Sequence, residues 1–249
     1  MSELSRDEIA GLGVALWQKR AGHRVGADAV LLAASAGARA RRVVDVGAGV
    51  GAVGLALARR WPSARVTLIE IAPDLAELAR RNAADNGVAD RVDVAVIDVL
   101  DRAGRRAAPI EPGEADLVVT NPPFYEAAEV RASPDTGRAR AHVFAGEGES
   151  LHDWIVASLA WLRPGGRFVV IHRPDRLADL LNAFGKRLGA VAIRPVHPRD
   201  GADAIRVIVS GVKGSRAPTR LQPGLTLHAA DGGFAPFAAA IYRGEAFLD

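Results

Sequence analysis

The chain has 249 residues, 49% hydrophobic and 24% charged, enough to form one large core in a single α/β domain. It contains no cysteine, which excludes disulfides, thiolate nucleophiles and cysteine-ligated metal or iron–sulfur sites. The net charge of +3 permits an anionic partner such as RNA without requiring one. No apolar run reaches the roughly 18 residues of a membrane helix, so we expect a cytoplasmic protein with no membrane partner.

Short runs rich in Val and Ile alternate with helix-like segments along most of the chain. The predicted strands are Arg42–Val46, Val66–Glu70, Val92–Ile97, Asp116–Thr120 and Arg167–His172, followed by Val191–Arg194 and Ile205–Ser210. The predicted helices are Ala52–Arg60, Asp74–Asn86 and Leu151–Leu162. This order predicts a single Rossmann-like α/β domain over residues 1–249, with helices on both faces of a mostly parallel, seven-stranded sheet. We assign residues 1–40 to a leading segment and helix, 41–212 to the core sheet and 213–249 to a C-terminal extension.

A glycine-rich turn joins the first predicted core strand to the helix that begins at Ala52. It includes Gly47, Ala48, Gly49 and Gly51, and such glycines let a cofactor approach the backbone. Together with Gly54, the turn also matches the G-x-G-x-x-G pattern of dinucleotide-binding enzymes. The glycines alone therefore leave open whether the cofactor is NAD or S-adenosylmethionine (SAM).

Three acidic residues mark the ends of three successive predicted strands. Asp45 lies two residues before the first glycine, where it can face a cationic amino-acid group but would repel a pyrophosphate. Glu70 can accept hydrogen bonds from both ribose hydroxyls, and Asp98 can accept one from the exocyclic amine of adenine. This pattern favours SAM, although each acid alone is also compatible with a helix cap or a solvated loop. The predicted cofactor contacts are Arg24, Asp45, Gly47, Ala48, Gly49, Glu70, Ile71, Asp98, Val99 and Asn121.

The segment Asn121-Pro122-Pro123-Phe124 follows the predicted strand Asp116–Thr120, at the strand end where open α/β sheets bind ligands. The prolines stiffen the turn, so the Asn121 side-chain oxygen and the Pro122 carbonyl are predicted to accept hydrogen bonds from one amine. Such acceptors favour the pyramidal, nucleophilic form of an amine attached to an aromatic ring. Phe124 is predicted to stack on a base, with Tyr125 as a second aromatic surface.

The region 125–150 is polar, rich in Arg, Gly and Glu, and lacks helical or strand periodicity. A connection of this length predicts a functional loop. Arg138 and Arg140 within it are predicted substrate contacts, because arginines there can bind phosphates. Arg24, near the other end of the chain, is predicted to close over the cofactor.

Taken together, these residues resemble the N-methyltransferases of the class I SAM-dependent superfamily, and more narrowly the tRNA1(Val) adenine-37 N6-methyltransferase family. The narrower resemblance rests on Gln18, Gly22–Ala29, Arg138–His142, Leu162–Phe168, Arg206-Val207, Lys213-Gly214, Leu227-His228 and Gly244–Ala246. It departs from the family where Val143, and not Glu, follows His142. The resemblance implies that the last core strand is antiparallel, that the segment around Gly22–Ala29 caps the SAM pocket, and that the substrate is an adenine N6 amine in tRNA.

Parts of this pattern are also compatible with other functions. The same loop serves guanine N2 of ribosomal RNA or a protein glutamine, and a degenerate fold of this kind can act as a non-catalytic RNA- or protein-binding module. An NAD-dependent oxidoreductase would leave Asn121–Phe124 unexplained. The six histidines show no metal-binding spacing, so no metal is predicted. The sequence does not predict an oligomeric state.

Overall fold

The structure is a computed structural model that describes residues 3–21, 24–37, 39–123 and 151–248. Its strands are β1 (Leu4–Ile9), β2 (Val14–Lys19), β3 (Arg42–Val46), β4 (Arg65–Glu70), β5 (Val92–Val96), β6 (Ala115–Thr120), β7 (Leu162–His172), β8 (Leu188–Arg199), β9 (Arg206–Lys213), β10 (Arg220–Leu221) and β11 (Leu225–His228). Its α-helices are α1 (Ala27–Ala34), α2 (Ala52–Arg60), α3 (Pro73–Asp85), α4 (Arg102–Arg106), α5 (Leu151–Ser158), α6 (Leu177–Phe184) and α7 (Pro236–Tyr242). None of the described helices is both long enough and apolar enough to span a bilayer.

The main sheet has the order β10-β8-β9-β7-β6-β3-β4-β5, and β11 also pairs with β8. Strands β3 to β7 are mutually parallel, whereas β9 runs antiparallel to both β7 and β8. The predicted core of seven strands with an antiparallel last strand is therefore confirmed by β3 to β9. The C-terminal extension adds β10 and β11 beyond β8, where no strand was predicted.

Two predicted boundaries were wrong, for one local reason. The predicted helix Leu151–Leu162 ends at Ser158, and β7 begins at Leu162 instead of Arg167. Leu162 pairs with Ala115 of β6, and the register shifts before Arg167 pairs with Leu117. The Pro164-Gly165-Gly166 stretch, which signalled a turn, is thus part of an irregular strand.

The hydrophobic core lies on both faces of the sheet. Alternate residues of one strand enter opposite layers, as with Val43 on one face and Val44 on the other, each fully buried. The first layer packs against α1, α2 and α3, and the second against α5 and α6. Burial on both faces explains why the strands read as unbroken Val and Ile runs.

Strands β1 and β2 form an antiparallel hairpin outside the main sheet. Strand β2 lies against α2 and α3, with Val14 and Leu16 buried. The hairpin therefore leads the chain into the segment around Arg24 from a fixed position on the core.

Candidate functional site

The predicted site residues meet at one edge of the sheet. Asp45 is the penultimate residue of β3, Glu70 is the last residue of β4, and Asn121 directly follows β6. Because β4, β3 and β6 are parallel neighbours, their carboxyl ends lie side by side. Asp98 lies two residues beyond β5, the next strand outward from β4. The topology brings all four residues to the edge where α/β sheets bind ligands.

The glycine turn is fixed to the neighbouring strand by its backbone. The N–H groups of Gly47 and Ala48 donate to the Ile69 carbonyl at 2.9 and 3.0 Å. Gly47, Gly49 and Gly51 have φ of +72°, +57° and +90°, a region that disfavours side chains. The turn is thus held in a conformation that only glycine adopts at low cost.

The three glycines have different surroundings. A Cβ on Gly47 would lie 2.9 Å from the Trp154 ring of α5, and one on Gly51 would lie 3.0 Å from Leu68. A Cβ on Gly49 would meet no atom of the described residues within 4 Å. Among the described residues, Gly49 therefore borders open space, as the approach of a cofactor to the backbone requires. The residues present fit SAM at this point.

Glu70 supports the turn and faces the same space. Its Oε2 accepts from the Gly49 N–H at 2.8 Å, and its Oε1 accepts from the Ala72 N–H at 2.9 Å. The residue is 8% exposed, and burial raises the pKa of its carboxyl. Each oxygen keeps a second lone pair, so a bound ribose could still donate to this carboxylate.

Asp45 is more deeply buried than Glu70, at 2% exposure. Its Oδ2 accepts from the Gly54 N–H at 2.8 Å, in the first turn of α2. Burial, together with the negative charge of Glu70, raises the pKa of Asp45 to about 7. Asp45 therefore caps α2, and contact with a cationic group of the cofactor remains a prediction that is compatible with this position.

Asp98 forms a tight turn at the outer end of the site. Its Oδ1 accepts from the Leu100 N–H at 2.8 Å, and Val99 between them is 2% exposed. Ile71, after Glu70, is half-buried. The contact of Asp98 with adenine, and those of Ile71 and Val99 with the cofactor, remain predictions.

The Asn121 side chain is the distinctive feature of the acceptor side. Its Oδ1 is buried and has no hydrogen-bond partner within the described ranges. Pro122 beside it is buried and Pro123 is exposed. A buried acceptor without a donor costs about 1–3 kcal/mol, so such an atom calls for an explanation. Phe124, Tyr125, Arg138 and Arg140 lie outside the described residues.

One hydroxyl joins the acceptor loop to the glycine turn. Thr120, the last residue of β6, is fully buried, and its Oγ1 donates to the Val46 carbonyl at 2.8 Å. The same oxygen accepts from the indole N–H of Trp154 at 3.0 Å. Trp154 thus packs under Gly47 and fixes the end of β6, a role that sequence reasoning missed because no local pattern identifies it.

Sequence reasoning also missed Asn82 of α3. Its side chain accepts from the Trp17 N–H at 2.7 Å and donates to the Trp17 carbonyl at 3.1 Å and the Val50 carbonyl at 2.9 Å. Asn82 therefore connects the glycine turn to strand β2. The signal was an asparagine in line with Leu75, Leu78 and Ala79, on the face that α3 buries.

The hairpin continues this connection to Arg24. Gln18, 2% exposed, accepts from the Val25 N–H at 3.0 Å and donates to Asp7 at 2.9 Å. Arg24 donates to the same Asp7 oxygen at 2.9 Å. Arg24 therefore lies against Asp7 of strand β1. The closure of Arg24 over the cofactor remains a prediction.

His172 ends β7, beside the acceptor loop. It is 3% exposed, and burial, together with the nearby Arg176 charge, lowers its pKa to about 4. The imidazole is therefore neutral at physiological pH. Within the described part of the chain, no three His, Asp or Glu side chains converge as metal ligands would.

Comparison with known proteins agrees with this arrangement. Residues 24–136 match the methyltransferase small domain family. A tRNA1(Val) (adenine(37)-N6)-methyltransferase of Porphyromonas gingivalis W83 is 39% identical over 71% of this chain and 66% of its own length. The corresponding protein of Aeromonas hydrophila is 32% identical over 86% of each chain. The chain belongs to the tRNA1(Val) (adenine(37)-N6)-methyltransferase family.

A crystal structure from Agrobacterium tumefaciens, described as a predicted O-methyltransferase, shares 35% identity and a TM-score of 0.73. The match covers 89% of this chain and 98% of that one. Membership of a SAM-dependent family confirms the predicted resemblance, the methyltransferase fold and SAM as the cofactor. The alignment with the Porphyromonas gingivalis relative spans just under two thirds of that protein's length.

Proposed function

We propose that this chain transfers the methyl group of SAM to the exocyclic N6 amine of an adenine in tRNA. The observation that carries the proposal is the buried Asn121 Oδ1, which has no donor among the described residues and lies at the cofactor edge. The relatives named as tRNA1(Val) (adenine(37)-N6)-methyltransferases support the same acceptor. Such a substrate implies a cytoplasmic site of action.

SAM, when bound, supplies an electrophilic methyl group. Asp45, Glu70 and Asp98 would hold it from three adjacent strand ends, and Gly49 would leave room for it at the turn. The Gly49 N–H already bonds Glu70, so the carboxylate is oriented before the cofactor arrives. Pre-ordered groups of this kind lower the reorganisation that binding requires.

Asn121 and Pro122 would act on the acceptor. The Asn121 Oδ1 would accept one N–H of the amine and the Pro122 carbonyl the other, which draws the nitrogen lone pair out of conjugation with the ring. This acceptor pair suits an amine or amide nitrogen, which has two N–H donors, better than a hydroxyl, which has one. The presence of two acceptors therefore favours N-methylation over O-methylation.

The proposal is tested by transfer of labelled methyl from SAM to unmodified tRNA, with nuclease digestion and mass spectrometry of the product. We expect N6-methyladenosine in the anticodon loop with the wild-type chain, and loss of that product with Asn121→Ala. SAM binding by calorimetry is measured in parallel. Asn121→Ala leaves the Glu70 contacts in place, so we expect SAM still to bind, and a large loss of SAM affinity would instead support the predicted contact of Asn121 with the cofactor.

Three results would contradict the proposal. Labelling of ribosomal RNA or of a release factor, but not of tRNA, would move the acceptor to guanine N2 or glutamine. SAM binding without turnover on any of these substrates would identify a binding module. An absence of SAM affinity would remove the enzyme hypothesis altogether.

A further inference from the structure

The outer side of the sheet, beyond β9, carries basic residues almost without acidic ones. Residues 180–230 contain eight Lys or Arg residues and only two acidic residues, whereas the whole chain has 32 basic and 29 acidic residues. The two acids, Asp200 and Asp203, lie in the turn between β8 and β9, and the range is flanked by Asp179 of α6 and Asp231 beyond β11. The net charge of +3 therefore conceals a strong local excess of positive charge.

Five of these cations are exposed and form what we call the basic rim. They are Lys186, Arg187, Arg199, Arg216 and Arg220. None of the five is in an ion pair with any residue that the structure describes. By contrast, Arg206 pairs with Asp28, and the Lys213 amine is held by the Leu159 and Leu162 carbonyls.

Backbone pairing places the rim residues along one line. Gly214 donates to the Arg187 carbonyl at 2.9 Å, which fixes Lys186 and Arg187 beside the segment that leads to Arg216. Arg220 lies opposite Ala192 of β8, and His228 lies opposite Arg199. The seven-residue step from Ala192 to Arg199 spans about 23 Å at roughly 3.3 Å per residue.

This line ends at the edge that carries the candidate site. Strand β8 is antiparallel to β9, which is antiparallel to β7, so the carboxyl end of β8 at Arg199 points the same way as that of β6. Three inter-strand spacings separate β8 from β6, which is about 14 Å. A single folded RNA is large enough to reach both places.

We infer that the basic rim binds phosphates of the RNA substrate and orients it toward Asn121. The inference rests on the proposed function, because an RNA substrate carries a row of phosphates that such a line of cations can bind. Arginine presents a planar fork of donors that matches phosphate oxygens. Leu221 is the one large apolar side chain among residues 213–228 that is exposed, so the rim lacks the apolar surface that insertion into a membrane requires.

The test compares two double variants that remove equal charge. Arg216→Ala/Arg220→Ala removes two rim arginines, whereas Arg41→Ala/Arg65→Ala removes two exposed arginines at the amino ends of β3 and β4. Binding of unmodified tRNA is measured at several salt concentrations, with SAM affinity and methyl transfer measured in parallel. We expect the rim variant to bind tRNA about tenfold more weakly and to lower the slope of log K against log salt by about 1–2, since each lost phosphate contact lowers it by roughly 0.7–0.9.

The same variant should raise the KM for tRNA while kcat and SAM affinity stay within about twofold, since a phosphate contact remote from the chemistry positions the RNA only. The inference is overturned if both double variants weaken tRNA binding equally, or if the rim variant matches the wild type. Wild-type binding to vesicles of anionic lipid in preference to tRNA would also overturn it. If the wild type methylates tRNA and the rim variant binds tRNA normally, the proposed function stands and only the role of the basic rim is rejected. If the wild type does not methylate tRNA but its tRNA binding depends on the basic rim, the proposed function is rejected and the rim remains an RNA-binding surface.

Discussion

The two halves of the candidate site satisfy their polar groups differently. On the β3–β4 side, Asp45 and Glu70 already accept backbone N–H groups, and the glycine turn is bonded to Ile69. On the β6 side, the Asn121 Oδ1 is buried without a donor among the described residues. The first half is thus rigid before any ligand binds, whereas the second keeps one acceptor free for a group that is not part of the fold.

The largest effect on activity is expected from loss of the Asn121 Oδ1, the buried acceptor without a donor among the described residues. Asn121→Ala should lower kcat for methyl transfer about 10²–10³-fold, the usual result of deleting one hydrogen-bonding group that acts on the reacting centre. SAM affinity should change by less than about twofold, because the β3–β4 half does not use this side chain. Single-turnover rates with tRNA, beside calorimetry with SAM, measure both quantities. Equal losses of kcat and of SAM affinity would show that Asn121 acts on the cofactor instead of the methyl acceptor.

The next largest effect is expected from Asn82, whose side-chain amide connects the glycine turn to strand β2 of the hairpin. Asn82→Ala leaves the Trp17 N–H and two carbonyls unpaired and should lower the free energy of unfolding by about 3 kcal/mol. It should also speed hydrogen exchange at Trp17, whose N–H bonds Asn82, and at Gly51, whose N–H shares a peptide group with the Val50 carbonyl, and it should weaken SAM binding.

Asn86→Ala is the matched control, because Asn86 bonds Ala15 of the hairpin but makes no bond to the glycine turn. Asn86 is only half-buried, so water can replace its bonds; its loss should lower the free energy of unfolding by less than that of Asn82, about 1–2 kcal/mol, and should loosen the hairpin without loosening the turn. If Asn86→Ala weakens SAM binding as much as Asn82→Ala, the bond to Val50 has no role in the cofactor site.

Two glycines separate fold from function within the same turn. Gly47→Ala should destabilise the fold by more than about 2 kcal/mol, since positive φ strain adds to the contact with Trp154. Gly49→Ala should lower the free energy of unfolding by only about 1 kcal/mol, the cost of a side chain at positive φ. It should nevertheless weaken SAM binding by more than that cost explains. Thermal unfolding with and without SAM measures both. Equal loss of SAM affinity in folded Gly47→Ala and Gly49→Ala would argue against open space at Gly49 as the cofactor approach.

The smallest effect is a dependence on pH that has opposite signs for folding and for binding. The folded pKa of Asp45, about 7, is above its ordinary value of 3.8, so its contribution to stability is full below that ordinary value and is lost as pH rises through 7. Affinity for cationic SAM should instead rise up to about tenfold between pH 6 and 8, as the carboxyl ionises. Asp45→Asn should flatten both curves. A SAM affinity independent of pH in the wild type would place the cationic groups away from Asp45.

The sequence predicted the parts of the site that depend on the order of strands. Asp45, Glu70 and Asn121 each stand at the end of an apolar run, and parallel strands bring such ends together. The burial of Asn82 could be predicted from its place in the α3 pattern, but the partners of Asn82 and Trp154 could not, because they lie 32 to 65 and 34 residues away. The strands β10 and β11 also escaped prediction, since two- and four-residue strands carry little periodic signal.

The Thr120 hydroxyl has a consequence for engineering. It fastens the end of β6 to Val46 and Trp154, immediately before the segment that follows Pro123. The distance between the β3–β4 side of the site and the β6 side that carries Asn121 is therefore set by residues that precede 124–150. Replacing residues 124–150 with the equivalent segment of a relative that methylates another nitrogen is expected to change which nitrogen receives the methyl group and to leave SAM affinity intact. The choice of methyl acceptor is therefore expected to be transferable between relatives by exchanging this segment.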